Sequence, residues 1–337
     1  MIIRLIFVIR LLQYKINPLY CHVAREQKKT KTAVIGYGSQ GRAWAENLQD
    51  SKCDIVVGLP SGSESRKIAQ KDRVKSITTT SRAVKKSDIV IFAFPDHLHR
   101  PVFEKDIRPN FKEGAALVFL CGFSIHFKTI VPPSETDVIL LAPLGPGAAV
   151  REGYLSKKSI QFFYDIYQNG TGRAEKRLKY LVKNLKIKNN ALIKTTFRDE
   201  AIGDIFGEQA VLCGGLTQLI KSGYETLVES GLSSDKAYLE VAYQLDLIVD
   251  LIKKFGIKGM YQRISVAARY GSYLSGRKII DSSVKKRMKE TLREIRSGNF
   301  AKKLSTLSPE KIKKLNKDMK KMSTPSFEKS ARKFSRK

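Results

Sequence analysis

Residues 31–50 read KTAVIGYGSQGRAWAENLQD, and this stretch decides the fold. Lys31–Gly36 is a short β-type run. Gly36, Gly38 and Gly41 complete a G-x-G-x-x-G, and Arg42–Gln49 continues with helical spacing. Alone, that pattern is weak. Between a strand and a helix, at the head of a βαβ unit, it marks a dinucleotide-binding turn rather than a mere Gly-rich bend. Gly36 permits the tight turn, Gly38 lets a pyrophosphate approach the backbone, and Gly41 lets the helix pack close to the strand. The helix N-terminus adds unpaired N–H groups for the anion. Gly36, Tyr37, Gly38, Ser39, Gln40 and Gly41 are therefore the expected cofactor contacts.

The next strand selects the nucleotide. Asp54–Leu59 ends in Val57, Gly58 and Leu59, followed by Pro60, without the acid that binds a ribose 2′-hydroxyl in NAD sites. The loop continues Ser61, Gly62, Ser63, Glu64, Ser65, Arg66, Lys67. Hydroxyls and basic groups suit a 2′-phosphate, Glu64 counts against it, and NADP(H) is preferred over NAD(H). Apolar strands at Asp88–Phe94, Ala115–Cys121 and Asp137–Ala142 alternate with helical segments such as Phe103–Phe111. Ser159–Tyr167 adds a strand and Gly172–Leu185 a helix. Alternation of this kind specifies a doubly wound α/β Rossmann domain with a mainly parallel sheet.

After about Thr195 the strand signals fade, and helical patterns run over Glu200–Gly223, Ser234–Phe255 and Ser283–Ser297. The expected organisation is an N-terminal extension over 1–30, the Rossmann domain over 31–195, a helical domain over 196–305 and a basic, partly disordered tail over 306–337. The extension begins MIIRLIFVIRLLQYKIN, and its first acid is Glu26. An organellar presequence, a start-site extension and a membrane-surface anchor all fit it. No apolar run reaches the roughly 18 residues of a transmembrane helix.

The chain has 337 residues, with 62 Lys+Arg against 32 Asp+Glu, a formal net charge of +30. The basic residues are scattered and no aromatic RNA-reading strand accompanies them, so solvated lysine faces explain the charge better than a nucleic-acid or membrane partner. Its four cysteines, Cys21, Cys53, Cys121 and Cys213, make neither a CxxC pair nor a zinc spacing. A reducing, cytoplasmic compartment is expected, or an organelle if residues 1–30 are a presequence.

The helical half carries its own chemistry. In AIGDIFGEQAVLCGGLTQLI, Ala201–Ile220, the only charges are Asp204 and Glu208, four residues apart on one helical face. Carboxylates in apolar surroundings are costly unless paired or metal-bound. Glu200 adds an acid one turn earlier. Glu240 and Gln244 form a second pair at the same spacing. Two helices each presenting an oxygen pair suit Mg²⁺. A buried polar network or a salt bridge is the alternative.

At this point the chain resembles the ketol-acid reductoisomerases of the short, bacterial type. The resemblance rests on AVIGYGSQGRAWAENLQDS (33–51), CGFSIHF (121–127), VPPSETDVILLAPLGPG (131–147), DIFGEQAVLCGGLTQLIKSGYETLVESG (204–231) and LIVDLIKKFGIKGM (247–260), and spans about Lys31–Leu304. YGSYLSG (270–276) and IRSGNFA (295–301) extend it. It implies a knotted, all-helical second domain, NADPH, two Mg²⁺, and alkyl migration in an acetohydroxy acid followed by hydride transfer, in branched-chain amino-acid synthesis. It also implies a homo-oligomer built through the helical domain. Carried over by position, Asp204, Glu208 and Glu240 are metal ligands, Glu200 is an active-site acid, Ser265 is a substrate contact, and Ser63 and Ser65 meet the 2′-phosphate.

Several positions depart from the pattern. Cys121 stands where the family has an active-site His, and His126 matches the string's other, non-catalytic His. Leu144 replaces a Lys, Ala148 a His, Gln244 a metal-binding Glu, and Pro60 a common Arg. A thiol stays protonated unless its pKa is depressed. Three readings follow: a working isomeroreductase, a diverged reductase of 2-keto or hydroxy acids without isomerisation, and an inactive nucleotide-binding homologue.

Overall fold

The structure, a computed structural model, describes residues 30–335; the N-terminal extension and Cys21 lie outside the described residues. The chain divides into a first compact unit ending at Ala201 and a second beginning at Ile202.

The first unit is an eight-stranded sheet. Its strands are β1 (Lys31–Ile35), β2 (Asp54–Gly58), β3 (Ile77–Thr78), β4 (Ile89–Phe92), β5 (Ala116–Phe119), β6 (Asp137–Pro143), β7 (Phe162–Asn169) and β8 (Leu192–Lys194). Their spatial order is β3-β2-β1-β4-β5-β6-β7-β8. The order reverses between β1 and β4, which both pair with parallel register, Thr32 facing Ile55 on one side and Ile89 on the other. A switch point of this kind opens a ligand crevice at the carboxyl ends of the strands. All pairings are parallel except β6–β7. The short strands β3 and β8 were not legible in the sequence.

Strand residues alternate between two cores. Val34, Val57, Ile91, Val118 and Leu141 point to one face, with Trp44 and Leu181 from the covering helices. Ile35, Val56, Phe92, Leu117, Phe119 and Leu140 point to the other, with Phe103 and Ile107. Burial of such a side chain contributes roughly 1.5–3 kcal/mol. The helix Ser39–Asp50 is clamped to the helix Gly147–Leu155 by Arg151, which pairs with Glu46 at 3.0 Å and Asp50 at 2.7 Å.

The second unit is helical, with three interruptions absent from the sequence reading. The first long helical pattern resolves into Phe197–Gly207, a π-helical turn Glu208–Leu212, and Gly214–Glu229. The second resolves into Ser234–Tyr238, a π-helical turn Leu239–Tyr243, and Leu245–Tyr261, broken at Gly256 where φ is 70°. A helix not foreseen, Val266–Ile279, follows, and then Ser282–Arg296.

The basic tail expected over 306–337 to be partly disordered is instead helical over Pro309–Met319 and Pro325–Phe334. Local capping and aromatic packing outweigh the lysine-rich composition. Ser308 and Thr324 cap these helices, each followed by a proline at the first helical position. Phe327 sets its ring edge-on to Tyr224 at 5.0 Å and Tyr238 at 5.3 Å. Asp235 accepts from Ser330 Oγ at 2.7 Å and pairs with Lys333 at 2.5 Å. Phe327→Ala is expected to cost about 1–3 kcal/mol, less than a fully buried Phe because the ring is half-exposed. It should also open residues 306–335 to limited proteolysis. An unchanged unfolding curve and digestion pattern would show that these helices are not docked through Phe327.

Candidate functional site

The nucleotide turn forms as the motif requires. Gly36 follows β1 with φ of 97°, and a Cβ there would stand 2.4 Å from the Ala93 carbonyl oxygen. A Cβ on Gly41 would stand 2.4 Å from the Gly36 carbonyl oxygen. The loops after β1 and β4 therefore approach to main-chain distance, with no room for a Cβ at Gly36. At Gly38 a Cβ would meet nothing within 4 Å, so the loop faces open space there. Gly38 is the N-cap of the Ser39–Asp50 helix and supplies no side chain to it, leaving the first-turn N–H groups for an anion. This arrangement fits a dinucleotide.

Three of the expected contacts are engaged within the protein. The Tyr37 side chain is buried and donates to Asp72 Oδ2 at 3.1 Å, and burial with the nearby carboxylates pushes its hydroxyl well above the usual phenol range. Gln40 Nε2 donates to the Gly145 carbonyl at 2.8 Å, and Gly147 N–H donates to Ser39 Oγ at 3.0 Å. Ser39 and Gln40 thus tie the nucleotide turn to the loop after β6, which carries Leu144, and to the start of the helix Gly147–Leu155, which carries Ala148. A Cβ on Gly147 would stand 2.0 Å from the Ser39 carbonyl oxygen, so only glycine permits this approach. In the loop after β2, Ser63 Oγ accepts from Ser65 N–H at 3.3 Å.

Cys121 and Glu200, assigned to catalysis, come together in the first unit. Cys121 lies just past β5 and donates its S–H to Asp96 Oδ1 at 3.2 Å. The next residue, Gly122, donates its N–H to the buried Glu200 carboxylate. Burial, then the charges of Asp96 and Glu200, push the Cys121 thiol well above its ordinary value. It is a neutral thiol at physiological pH and cannot act as imidazole does. Asp96 escaped the sequence reading, although its place just beyond the end of β4 is a signal that strand order would have exposed.

His99 fixes these loops. It is buried, with Nε2 at 2.9 Å from the Phe94 carbonyl and Nδ1 at 2.7 Å from Ser124 Oγ. A carbonyl only accepts, so Nε2 carries the proton and Nδ1 accepts from the serine. Burial lowers the His99 pKa, which keeps the ring neutral. His126 is half-buried, and burial followed by Arg198 lowers its pKa as well.

The metal-ligand candidates lie in the second unit. Asp204 and Glu208 are exposed, one in the last turn of Phe197–Gly207 and the other opening the π-turn. Glu240 lies inside the second π-turn, and Gln244 Nε2 donates to Glu240 Oε2 at 3.1 Å, confirming that this pair shares a face. These oxygen donors suit a hard cation. Among the described residues, however, no three His, Cys, Asp or Glu side chains gather where a metal could be held. Ser265 is the N-cap of Val266–Ile279, and its Oγ accepts from Ala268 N–H at 3.1 Å.

Comparison with known proteins accounts for both units. Residues 26–186 match the family described as acetohydroxy acid isomeroreductase, NADPH-binding domain, and residues 197–336 match ketol-acid reductoisomerase, C-terminal domain. A ketol-acid reductoisomerase (NADP(+)) of Petrotoga mobilis is 46% identical over 275 residues, covering 82% of this chain and 83% of the relative. One from Xanthomonas oryzae is 44% identical over 272 residues, covering 81% of each. The solved structure of an NADH-preferring ketol-acid reductoisomerase from an uncultured archean superposes with a TM-score of 0.85 at 35% identity, covering 92% of this chain and 96% of that one.

The state of Cys121 is open to a direct check. Among the described cysteines, alkylation of the folded protein at pH 7.5 should label exposed Cys213 first, with Cys121 and the also raised Cys53 far behind. Asp96→Asn removes a charge that holds the thiol up, so it should speed Cys121 labelling, read by peptide mass spectrometry. Labelling of Cys121 as fast as Cys213 in the unmodified chain would refute the neutral-thiol assignment.

Proposed function

The chain belongs to the ketol-acid reductoisomerase family, and on that premise we propose that it converts acetohydroxy acids to dihydroxy acids with NADPH and Mg²⁺ in branched-chain amino-acid synthesis. The carrying observation is the coexistence, in one chain, of an open dinucleotide turn and oxygen pairs placed at π-helical turns. π-turns within helices recur at functional sites, where they re-aim side chains. When bound, Mg²⁺ supplies Lewis acidity toward neighbouring substrate oxygens, and NADPH supplies hydride.

The protein's part is to bind and orient. The Gly36–Gly41 turn receives the pyrophosphate. Asp204, Glu208 and Glu240 provide carboxylates for the cation, Gln244 a neutral carbonyl oxygen, and Ser265 a substrate contact. Cys121 stays a thiol, so Glu200 takes the acid's part at the β5 edge. Leu144 offers no cation where the family has one. A compartment that keeps Cys53, Cys121 and Cys213 reduced, such as the cytoplasm, suits the chain. Among the described residues no helix is long and apolar enough to cross a membrane.

Self-association completes this reading. Tyr273 is 78% exposed, Val266 73% and Tyr270 64%, with Leu247, Ile257 and Ile279 exposed nearby in sequence. Apolar exposure on this scale belongs to an interface.

Two measurements address these statements. Purified protein with NADPH and Mg²⁺ is expected to turn over 2-acetolactate and, separately, the ready-isomerised 3-hydroxy-2-keto acid. Reduction of only the second would mean that isomerisation is lost. No NADPH oxidation with either would rule out the proposed reaction. Cys121→His, Leu144→Lys and Gln244→Glu together should raise isomerisation at least roughly a hundredfold, the low end of what a placed acid–base group supplies. In light scattering, the chain should run as a dimer or larger. Tyr270→Glu with Tyr273→Glu should yield monomers without Mg²⁺-dependent turnover, whereas a monomeric, active unmodified chain would exclude the oligomer.

A further inference from the structure

We propose that Arg66 is the residue that reads the 2′-phosphate of NADP(H), taking over from the arginine that Pro60 displaces; this rests on the NADP reading above. The loop after β2 is where a Rossmann domain distinguishes the two nucleotides. Position 60, at the end of that strand, has no side chain able to donate a hydrogen bond. Arg66 approaches it from the other end of the loop. Its Nε donates to the Pro60 carbonyl at 3.0 Å and its Nη2 to the Leu59 carbonyl at 3.2 Å. The guanidinium therefore lies against the main chain of the position whose own arginine is missing.

The neighbouring charges single it out. Glu64, the acid that would repel a phosphate, is paired with Lys67 at 3.1 Å, so these two cancel. Among the described residues, no carboxylate pairs with Arg66, and its hydrogen bonds go to carbonyls that leave its charge intact. The loop's net charge is thus the Arg66 charge. Two carbonyls hold the fork in place, and its remaining N–H groups are available to an anion. Ser63 and Ser65 stand on the same loop, half-buried beside it, and Ser63 N–H donates to the Pro60 carbonyl at 3.1 Å. A held cation loses little freedom on binding, which favours affinity. The competing role is a clip that merely shapes the loop. A clip would serve both nucleotides equally; a phosphate reader serves only NADPH.

The full-length protein, without substrate or Mg²⁺, would be titrated with NADPH and with NADH, following nicotinamide fluorescence. The unmodified chain is expected to prefer NADPH. Arg66→Gln, which keeps a donor for the carbonyls, should weaken NADPH about 10- to 100-fold, the scale of a charged hydrogen bond, and NADH less than about threefold. Retained NADH binding shows that the variant is folded. Lys67→Ala should leave the preference intact. Pro60→Arg added to Arg66→Gln should restore it. Equal weakening of both nucleotides would make Arg66 a clip and overturn the proposal, as would an Arg66→Gln protein that still prefers NADPH. An unmodified chain that binds both nucleotides alike would overturn the NADP reading and Arg66's role with it.

Discussion

Everything at the carboxyl edge of the sheet depends on backbone meeting backbone. Gly36 lies under the Ala93 carbonyl, Gly41 under the Gly36 carbonyl, and Gly147 under the Ser39 carbonyl, each too close for a Cβ. Gly122 extends the pattern, since a Cβ there would stand 2.2 Å from the Phe197 carbonyl oxygen. Loops from β1, β4, β5 and β6 converge because these positions carry no side chain. The open ground above Gly38 is what remains once they have done so. Cost falls on the unfolded state, where each glycine is freer than any other residue. The buried strands and the Arg151 clamp offset it.

On this frame a polar cluster is held in a partly dehydrated place. Asp96 and Glu200 bring two acids near the Cys121 thiol. Burial and the neighbouring acids disfavour the thiolate, so the thiol stays neutral and donates to Asp96. The neutral His99 behind it fixes the loops without adding charge. Exchange of imidazole for thiol at position 121 is therefore more than the loss of one base. The loop after β6, where Leu144 stands, adds no basic side chain of its own.

How much of this the sequence disclosed follows from the kind of interaction. The βαβ turn was legible because glycine spacing and apolar alternation are local. Asp204 with Glu208, and Glu240 with Gln244, were legible as pairs because helical spacing is local too. The π-turns beneath them were not, because one extra residue in a turn leaves apolar periodicity almost unchanged. Tyr37, Ser39 and Gln40 lie where the motif puts them, but their bonds to Asp72, Gly147 and Gly145 join segments up to 108 residues apart. Composition misled at the C-terminus: ten basic residues from Lys313 onward suggest disorder, whereas two caps, the Phe327 ring and the Asp235 contacts give helices.

The two halves of the chemistry differ in what writes them, which explains where this chain departs from its family. Pyrophosphate is received by main-chain N–H groups and by the absence of side chains. That part is coupled to packing, because any Cβ at Gly36, Gly41 or Gly147 strains the sheet edge as well as the ligand. The positions at which this chain departs from the resemblance have access to solvent: Gln244 and Leu144 are exposed, and Cys121 is partly so. Replacing these groups removes charge and donors yet breaks no core contact, so the fold tolerates it. The cofactor loop shows the same division. Pro60 brings no charge to it, and Arg66, with its guanidinium on the Leu59 and Pro60 carbonyls, is the cation we propose in its place. A fold written in backbone and a reaction written in side chains can change at different rates. In this protein the substitutions fall on the side-chain half.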